Sequence, residues 1–330
     1  MHQESLKMAL PLRHTRRALK EKLPFVRRRE YDILAGKYAR LIADLGWHAP
    51  LATAAKIAVR KAVGGDLSGD ICFFVTHADT AALKVNVIHH VEQLLAQNIL
   101  VVLIVNTDLP FESVLIDEKF AAKLSGIFIR ENLGFDFAAW AHAYALCPPT
   151  AQWTRLFLVN DSMIGPLNTD DFSRTIARLR AASADMIGLV QNTTPLLHLQ
   201  SFFLAFTQTA LMHPMFKNWM TNVRCLKEKI HVIDVYETRL TQMMADVGLR
   251  TEALFNSSGG GDDTIAGWEN LIDAGFPYVK VSVTKQFPNH PRLSSVGAGD
   301  MPIRAAAEGT SLAPRGRGAR ERGETTASWC

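Results

Sequence analysis

The sequence predicts an α/β protein with a mainly parallel sheet and helices on both faces. Two observations carry this. Short β-rich runs alternate with helical patterns between residues 71 and 191, and two of those runs, Ile71 to Val75 and Ile99 to Val105, are almost continuously apolar. Alternation of this kind marks βαβ units. A strand that is apolar on both sides of its pleat must be covered on both faces.

In chain order, the residues from Glu30 to Ala62 place Ile33, Leu34, Tyr38, Leu41, Ile42, Leu45, Ile57 and Ala58 at helical spacing, which predicts amphipathic helices closed by Gly64, Gly65 and Gly69. Strands follow at Ile71 to Thr76, Ile99 to Asn106, Gly126 to Arg130, Trp153 to Asn160 and Met186 to Gln191. Helices are expected at Leu83 to Gln97, Asp136 to Ala145 and Asp170 to Ala181. Further on, Phe216 to Cys225 and Tyr236 to Val247 read as helices, the second stopped by Gly248. Thr264 to Ala274 reads as a helix capped by Asp262 or Asp263 and stopped by Gly275. Ser294 to Cys330 is rich in Gly, Ala, Arg and Ser, too poor in bulky apolar residues to offset its ordering entropy. The expected organisation is a basic helical extension over 1–69, an α/β domain over 70–290 and a disordered tail over 291–330.

Composition narrows the class. Of 330 residues, 48% are hydrophobic and 21% charged, values ordinary for a globular chain. The four cysteines form no Cys-x-x-Cys pair, which argues against a zinc knuckle or redox dithiol and leaves a reduced compartment as the default. No apolar run reaches about 18 residues, so no membrane span is expected, and Met1 to Leu23 lacks a signal-peptide core. The basic residues Arg13, Arg16, Arg17, Lys20, Lys22, Arg27, Arg28 and Arg29 suit either a solvated arm or a peripheral contact with anionic lipid, at about 1 kcal/mol per cation. A net charge of +4 without an aromatic-interleaved basic stripe argues against nucleic acid. The first strand is not followed by Gly-x-Gly-x-x-Gly, and no Gly-x-Ser-x-Gly occurs, which sets aside dinucleotide oxidoreductases and hydrolases of those types.

Ligands of open α/β sheets bind outside the carboxyl ends of the strands. Four polar segments follow strands there: Thr76-His77-Ala78-Asp79, Asn106-Thr107-Asp108, Arg130 to Asp136 and Asn160 to Pro166. Asp161 could give a carboxylate to a hard cation on a pyrophosphate, or Asn160 and Asp161 could simply bond turn amides. Arg130 could hold a phosphate bidentately, Asn132 and Asp136 a base or ribose, and Gly134 could allow close ligand approach. Asp136 as a helix cap and Gly134 as a turn residue explain the same pattern. His198, Gln200 and Ser201 precede Phe202 and Phe203, which suits either an acceptor platform or plain core. Ser257 to Gly261 lacks the Lys-Ser/Thr of a phosphate loop.

Together, Arg-x-Asn-x-Gly-x-Asp (Arg130 to Asp136), Asn-Asp-Ser-x-x-Gly-Pro (Asn160 to Pro166), Gln-Ser-Phe-Phe (Gln200 to Phe203) and Gly-Phe-Pro-Tyr-Val-Lys (Gly275 to Lys280) resemble the rhamnan synthesis F family, roughly from Ile71 to Phe287. The resemblance implies a GT-A-like glycosyltransferase of surface-polysaccharide or lipopolysaccharide synthesis, in the cytoplasm or at the inner membrane face. It would take a nucleotide-sugar donor and a saccharide or lipid-linked acceptor. It also implies that Asn160-Asp161-Ser162 stands where an Asp-x-Asp motif holds Mg²⁺ or Mn²⁺ and the donor diphosphate, although two of the three residues here are neutral. Thr76, His77, Asn106, Arg130, Asn132, Gly134 and Asp136 would then surround the donor, and His198 and Gln200 the acceptor. Val235-Tyr236-Glu237 with Arg239 resembles the acidic loop and Arg-bearing helix of inverting GT-A enzymes, which would make Glu237 the base; a first-turn acid favoured by the helix dipole explains Glu237 equally well. A nucleotide-sugar or glycan-binding module without turnover is the alternative.

Overall fold

The computed structural model describes Ile33, Gly36, Lys37, Arg40 and residues 49–65, 67–147, 152–255 and 262–296, the side chains of 294–296 excepted. The chain divides into Met1–Ala49 and Pro50–Cys330. In the first unit the described residues Ile33, Gly36, Lys37 and Arg40 are helical; the basic run from Arg13 to Arg29 lies outside the described residues.

The second unit is α/β. Among the described residues its main sheet has nine strands: β1 (Ile57–Lys61), β2 (Gly69–Ala78), β3 (Leu100–Thr107), β4 (Gly126–Glu131), β5 (Trp153–Asn160), β7 (Met186–Asn192), β8 (His198–Leu199), β9 (Phe203–Thr207) and β10 (Thr251–Phe255). The short β6 (Met163–Ile164) pairs apart from it with β11 (Val279–Lys280). The order is β1-β4-β3-β2-β5-β9-β7-β10, with β8 beside β7. β4, β3, β2 and β5 run parallel, as do β7 and β10, whereas β9 is antiparallel to both β5 and β7 and β1 to β4. Six strands therefore point the same way, and their carboxyl ends share one edge. The order reverses at β2, whose neighbours β3 and β5 lead away in opposite directions, so the switch point lies between the ends of β2 and β5.

The apolar runs form the core as their pattern requires. Cys72, Phe74, Val101 and Leu103 face helix α1 (Val85–Ala96), which contributes Val87, Val91 and Leu94 to the same cluster. The alternate residues of β2 and β3 meet helix α3 (Phe135–Leu146), where Trp140 donates its indole N–H to the Phe73 carbonyl at 3.1 Å. A short helix α2 (Glu118–Lys123), N-capped by Asp117, lies between β3 and β4. Helix α4 (Thr169–Ala181) is N-capped by Asn168 and buries Phe172, Ile176 and Leu179. Phe202, Phe203 and Phe206 are core residues, all at most 5% exposed.

Beyond β9 come α5 (Gln208–Met212), α6 (Pro214–Asn222) and α7 (Lys229–Val232). A π-helical turn, Ile233–Glu237, leads into α8 (Thr238–Asp246). Gly248 follows at φ +82°, as a helix C-terminus favours.

Three expectations are corrected and one strand is added. Ile57 and Ala58 belong to edge strand β1 rather than a helix, because Ile57 to Lys61 pair with Arg130 to Ile127 and interstrand bonds outweigh a weak helical period. Thr264 to Ala274 divides at Gly267 into α9 (Asp263–Ala266) and α10 (Trp268–Asp273). The strand β10, too short and exposed at Glu252 for its period to stand out, went unread. After α11 (Val281–Gln286), Pro291–Val296 forms helix α12 and buries Leu293 with Trp268 and Val283, so residues 291–296 are not tail; 297–330 and the Ser257 to Gly261 run lie outside the described residues.

Candidate functional site

A cleft of about 750 Å³ opens at the switch point. Its walls come from the ends of β2 (His77, Asp79, Thr80), β3 (Asn106), the β4–α3 loop (Asn132, Phe135, Asp136) and the end of β5 (Asn160, Asp161, Ser162). Lys84 and Asn86 at the head of α1, Lys229 of α7, and Lys280 to Ser282 with Lys285 complete it. The polar segments expected from strand ends thus converge, and three regions distant in sequence add lysines to them.

Asp161 stands at the centre. Its Oδ2 accepts from the Thr76 hydroxyl at 2.6 Å and from Lys84 Nζ at 2.8 Å. Beside it, Asn160 donates from Nδ2 to Asp136 Oδ2 at 2.9 Å, while its Oδ1 accepts from the backbone N–H and hydroxyl of Ser162 at 3.0 and 2.7 Å. The turn reading of Asn160 is therefore realised, and that turn aims Asp161 into the cleft. The β6–β11 pairing sets Lys280 opposite Met163, and Val281 N–H bonds Ser162 O, which brings the Gly275 to Lys280 motif to the site.

The floor carries unmet hydrogen-bonding capacity. Asn106 gives its Nδ2 to the Phe135 carbonyl, but its Oδ1, and Asn86 Oδ1, find no partner among the described residues, although both side chains are at least 95% buried. Buried acceptors without donors are costly, about 1–3 kcal/mol each, and are satisfied when a ligand brings hydroxyl or N–H groups. Phe135, at the same floor, has φ +56°, which costs a non-glycine residue about 1–2 kcal/mol. Backbone strain of this kind clusters at functional sites. On the rim His77 lies 3.6 Å from Asp108, which accepts from Asn132.

Burial pushes the Asp136 carboxyl up to about 7; the Asp161 charge adds to the rise, Lys229 opposes it, Glu237 adds, and the Asn160 hydrogen bond opposes. The folded value exceeds the unfolded one, so the stability contribution is full below about pH 4 and is lost as pH rises through about 7. Asp136→Asn is expected to flatten this dependence, with a melting temperature nearly constant from pH 5 to 8 where the wild type falls. Parallel pH curves for the two proteins in thermal melts would overturn the assignment.

Not every expected site residue faces the cleft. Arg130 is fully buried. All five guanidinium donors are spent: Nε on His142 Nδ1, Nη1 on the Glu131 and Leu133 carbonyls, and Nη2 on the Ala52 carbonyl and Cys225 Sγ. This corrects the phosphate-binding expectation, since Arg130 ties loops together behind the site. Gly134, at φ +74°, is required by packing rather than by a ligand: a Cβ there would lie 2.6 Å from Ala138 Cβ and Cys225 Cα. His198 is buried on β8 against the Leu196 carbonyl. Gln200 donates to Asp262 Oδ1, and Asp262 Oδ2 holds Lys280 at 2.7 Å, so Gln200 reaches the cleft only through that chain. Glu237 ends the π-helical turn, with Oε1 accepting from Ser201 N–H at 3.0 Å, near enough to Asp136 to raise its pKa.

The sequence reading missed Lys84, Asn86, Lys229 and Lys285, and named Lys280 only as the end of the Gly275 to Lys280 motif, without a role. Lys84 had a legible signal, a cation at the head of the helix after the first parallel strand. Lys280 had the motif that it ends, whereas Lys229 and Lys285 had none, because their segments lie far along the chain.

Residues 83–287 match the family described as Rhamnan synthesis protein F. The chain belongs to that family. A curated relative, described as an uncharacterized protein, y4gN, of Sinorhizobium fredii, is 27% identical over 134 residues, 39% of this chain and 34% of that protein. The chain thus spans about a third of the length of that relative. The matched region contains α1, the Asp161 loop and β11. Among the described residues no helix is long and apolar enough to cross a membrane.

The divalent cation implied by the resemblance fits this cleft poorly. The carboxylate that would bind it, Asp161, already holds the Lys84 ammonium on its Oδ2. A divalent ion and an ammonium about 4 Å apart repel by about 8 kcal/mol at an effective dielectric constant of 20.

Proposed function

We propose that this chain is a GT-A-type glycosyltransferase that moves a sugar from a nucleoside-diphosphate donor to a saccharide or lipid-linked acceptor in rhamnan-type polysaccharide assembly, in the cytoplasm. The supporting observation is the cleft itself: at the switch point of a doubly wound sheet, buried amide acceptors lie at the floor and lysines along the wall. In this reading the Asn86 and Asn106 carbonyl oxygens accept from ribose hydroxyls or base N–H groups, and the lysines face the diphosphate. Asp136, Asn160 and Ser162 shape the donor pocket, with Thr76 behind Asp161 and with His77 and Asn132 at the rim.

Transfer follows an in-line, inverting displacement. The acceptor oxygen forms a bond to the anomeric carbon as the bond from that carbon to the phosphate oxygen breaks, the electron pair leaving with the diphosphate. The acceptor proton goes to Glu237.

Thermal melts with a panel of nucleoside diphosphates and their sugars test the donor assignment. One nucleotide class at about 100 times its Kd is expected to stabilise the fold by about 2.7 kcal/mol. An unchanged melting temperature across the whole panel would overturn the reading, and a shift without turnover on saccharide or lipid-linked acceptors would instead favour a binding module.

A further inference from the structure

We propose that the diphosphate in this cleft is neutralised by lysine ammonium groups and needs no divalent cation, with Asp161 positioning Lys84 rather than binding metal. The inference rests on the donor-site reading above and deepens it.

Four lysines reach the cleft from three separate regions: Lys84 before α1, Lys229 at the head of α7, and Lys280 on β11 with Lys285 in the directly following α11. Two have carboxylate partners that hold them in place. Lys84 is held by Asp161 at 2.8 Å, and Lys280 by Asp262 at 2.7 Å. Lys229 and Lys285 form no salt bridge among the described residues. Two cations without ion-pair partners match the two negative charges of a sugar-nucleotide diphosphate.

An ammonium has three donors. Lys84 spends one on Asp161 and can turn others to a phosphate oxygen without leaving its carboxylate. Thr76, itself buried, donates to the same Asp161 oxygen and limits where that carboxylate can turn. The arrangement at Asp161 is therefore that of a tethered cation, and a metal on this carboxylate would have to share it with the Lys84 ammonium on Oδ2. The buried Asn86 and Asn106 oxygens, lacking donors, supply the independent sign that a ligand completes this cleft.

Calorimetric titration of the full chain distinguishes the cases, with inorganic pyrophosphate and a set of nucleoside diphosphates as probes, each in EDTA and in Mg²⁺ or Mn²⁺. Pyrophosphate and one nucleoside diphosphate are expected to bind in EDTA within about twofold of their affinity with metal. Lys84→Met and the double variant Lys229→Gln/Lys285→Gln should each weaken binding at least about tenfold, while Lys217→Gln, an exposed charge on α6 outside the cleft, should not. Thermal melts of the free proteins check that each variant is folded. Binding that vanishes in EDTA and returns with metal would overturn the lysine proposal and leave the donor-site reading intact. Pyrophosphate binding in EDTA with no nucleotide binding would uphold the lysines and overturn the nucleotide-sugar reading. No binding by any probe would overturn both.

Discussion

Arg130→Ala is expected to destabilise the fold by about 3–5 kcal/mol, more than a change in the cleft wall itself. The guanidinium is fully buried and fully bonded, joining the Glu131, Leu133 and Ala52 carbonyls to His142 and Cys225. Alanine would leave three carbonyls without their donor, at about 1–3 kcal/mol for each that water cannot reach, and would open a cavity besides. Burial, with Arg130 nearby, lowers the His142 pKa to about 4, so its ring is neutral near pH 7 and its Nδ1 can accept. Arg130→Lys should recover only part of the loss, since one ammonium cannot span a planar fork of five donors. Urea unfolding measures the difference. A loss below about 1 kcal/mol with a large drop in nucleotide affinity would return Arg130 to the ligand site.

Glu237→Gln is expected to lower kcat by about 10² to 10⁴, the range for removing a positioned proton acceptor, with donor affinity little changed. Glutamine keeps an oxygen for the Ser201 N–H that Glu237 Oε1 accepts, so the local fold should survive. The side chain ends a π-helical turn, an irregularity that recurs at functional sites. Single-turnover transfer assays on Glu237→Gln and Asp136→Asn separate the two nearby carboxyls. If Asp136→Asn loses the rate and Glu237→Gln keeps it, the base is Asp136, whose carboxyl already titrates near 7.

Much of this protein was legible in the chain. Consecutive apolar residues at Ile71 to Val75 and at Ile99 to Val105 determined the buried parallel strands, because only a strand covered on both faces can bury every residue. Polar residues directly after those strands marked the edge where a ligand would sit, and Asp161, Asn160, Asp136 and Asn106 do meet there. These are local signals: each depends on a few adjacent residues and on the direction of its strand. What lies outside them needed long-range contacts. Ile57 to Lys61 became a strand through pairing with β4, about 70 residues away. Arg130 turned from the cleft because its own loop offers the Glu131 and Leu133 carbonyls while Ala52, His142 and Cys225 take the remaining donors, and those three partners are brought to it only by the tertiary fold. Lys229, Lys280 and Lys285 entered the site when the π-helical turn and the β6–β11 pair folded back on β5. The sequence by itself determined where the cleft opens. Which charges face into it was decided only by the tertiary structure, since a side chain's direction depends on the partners that packing supplies.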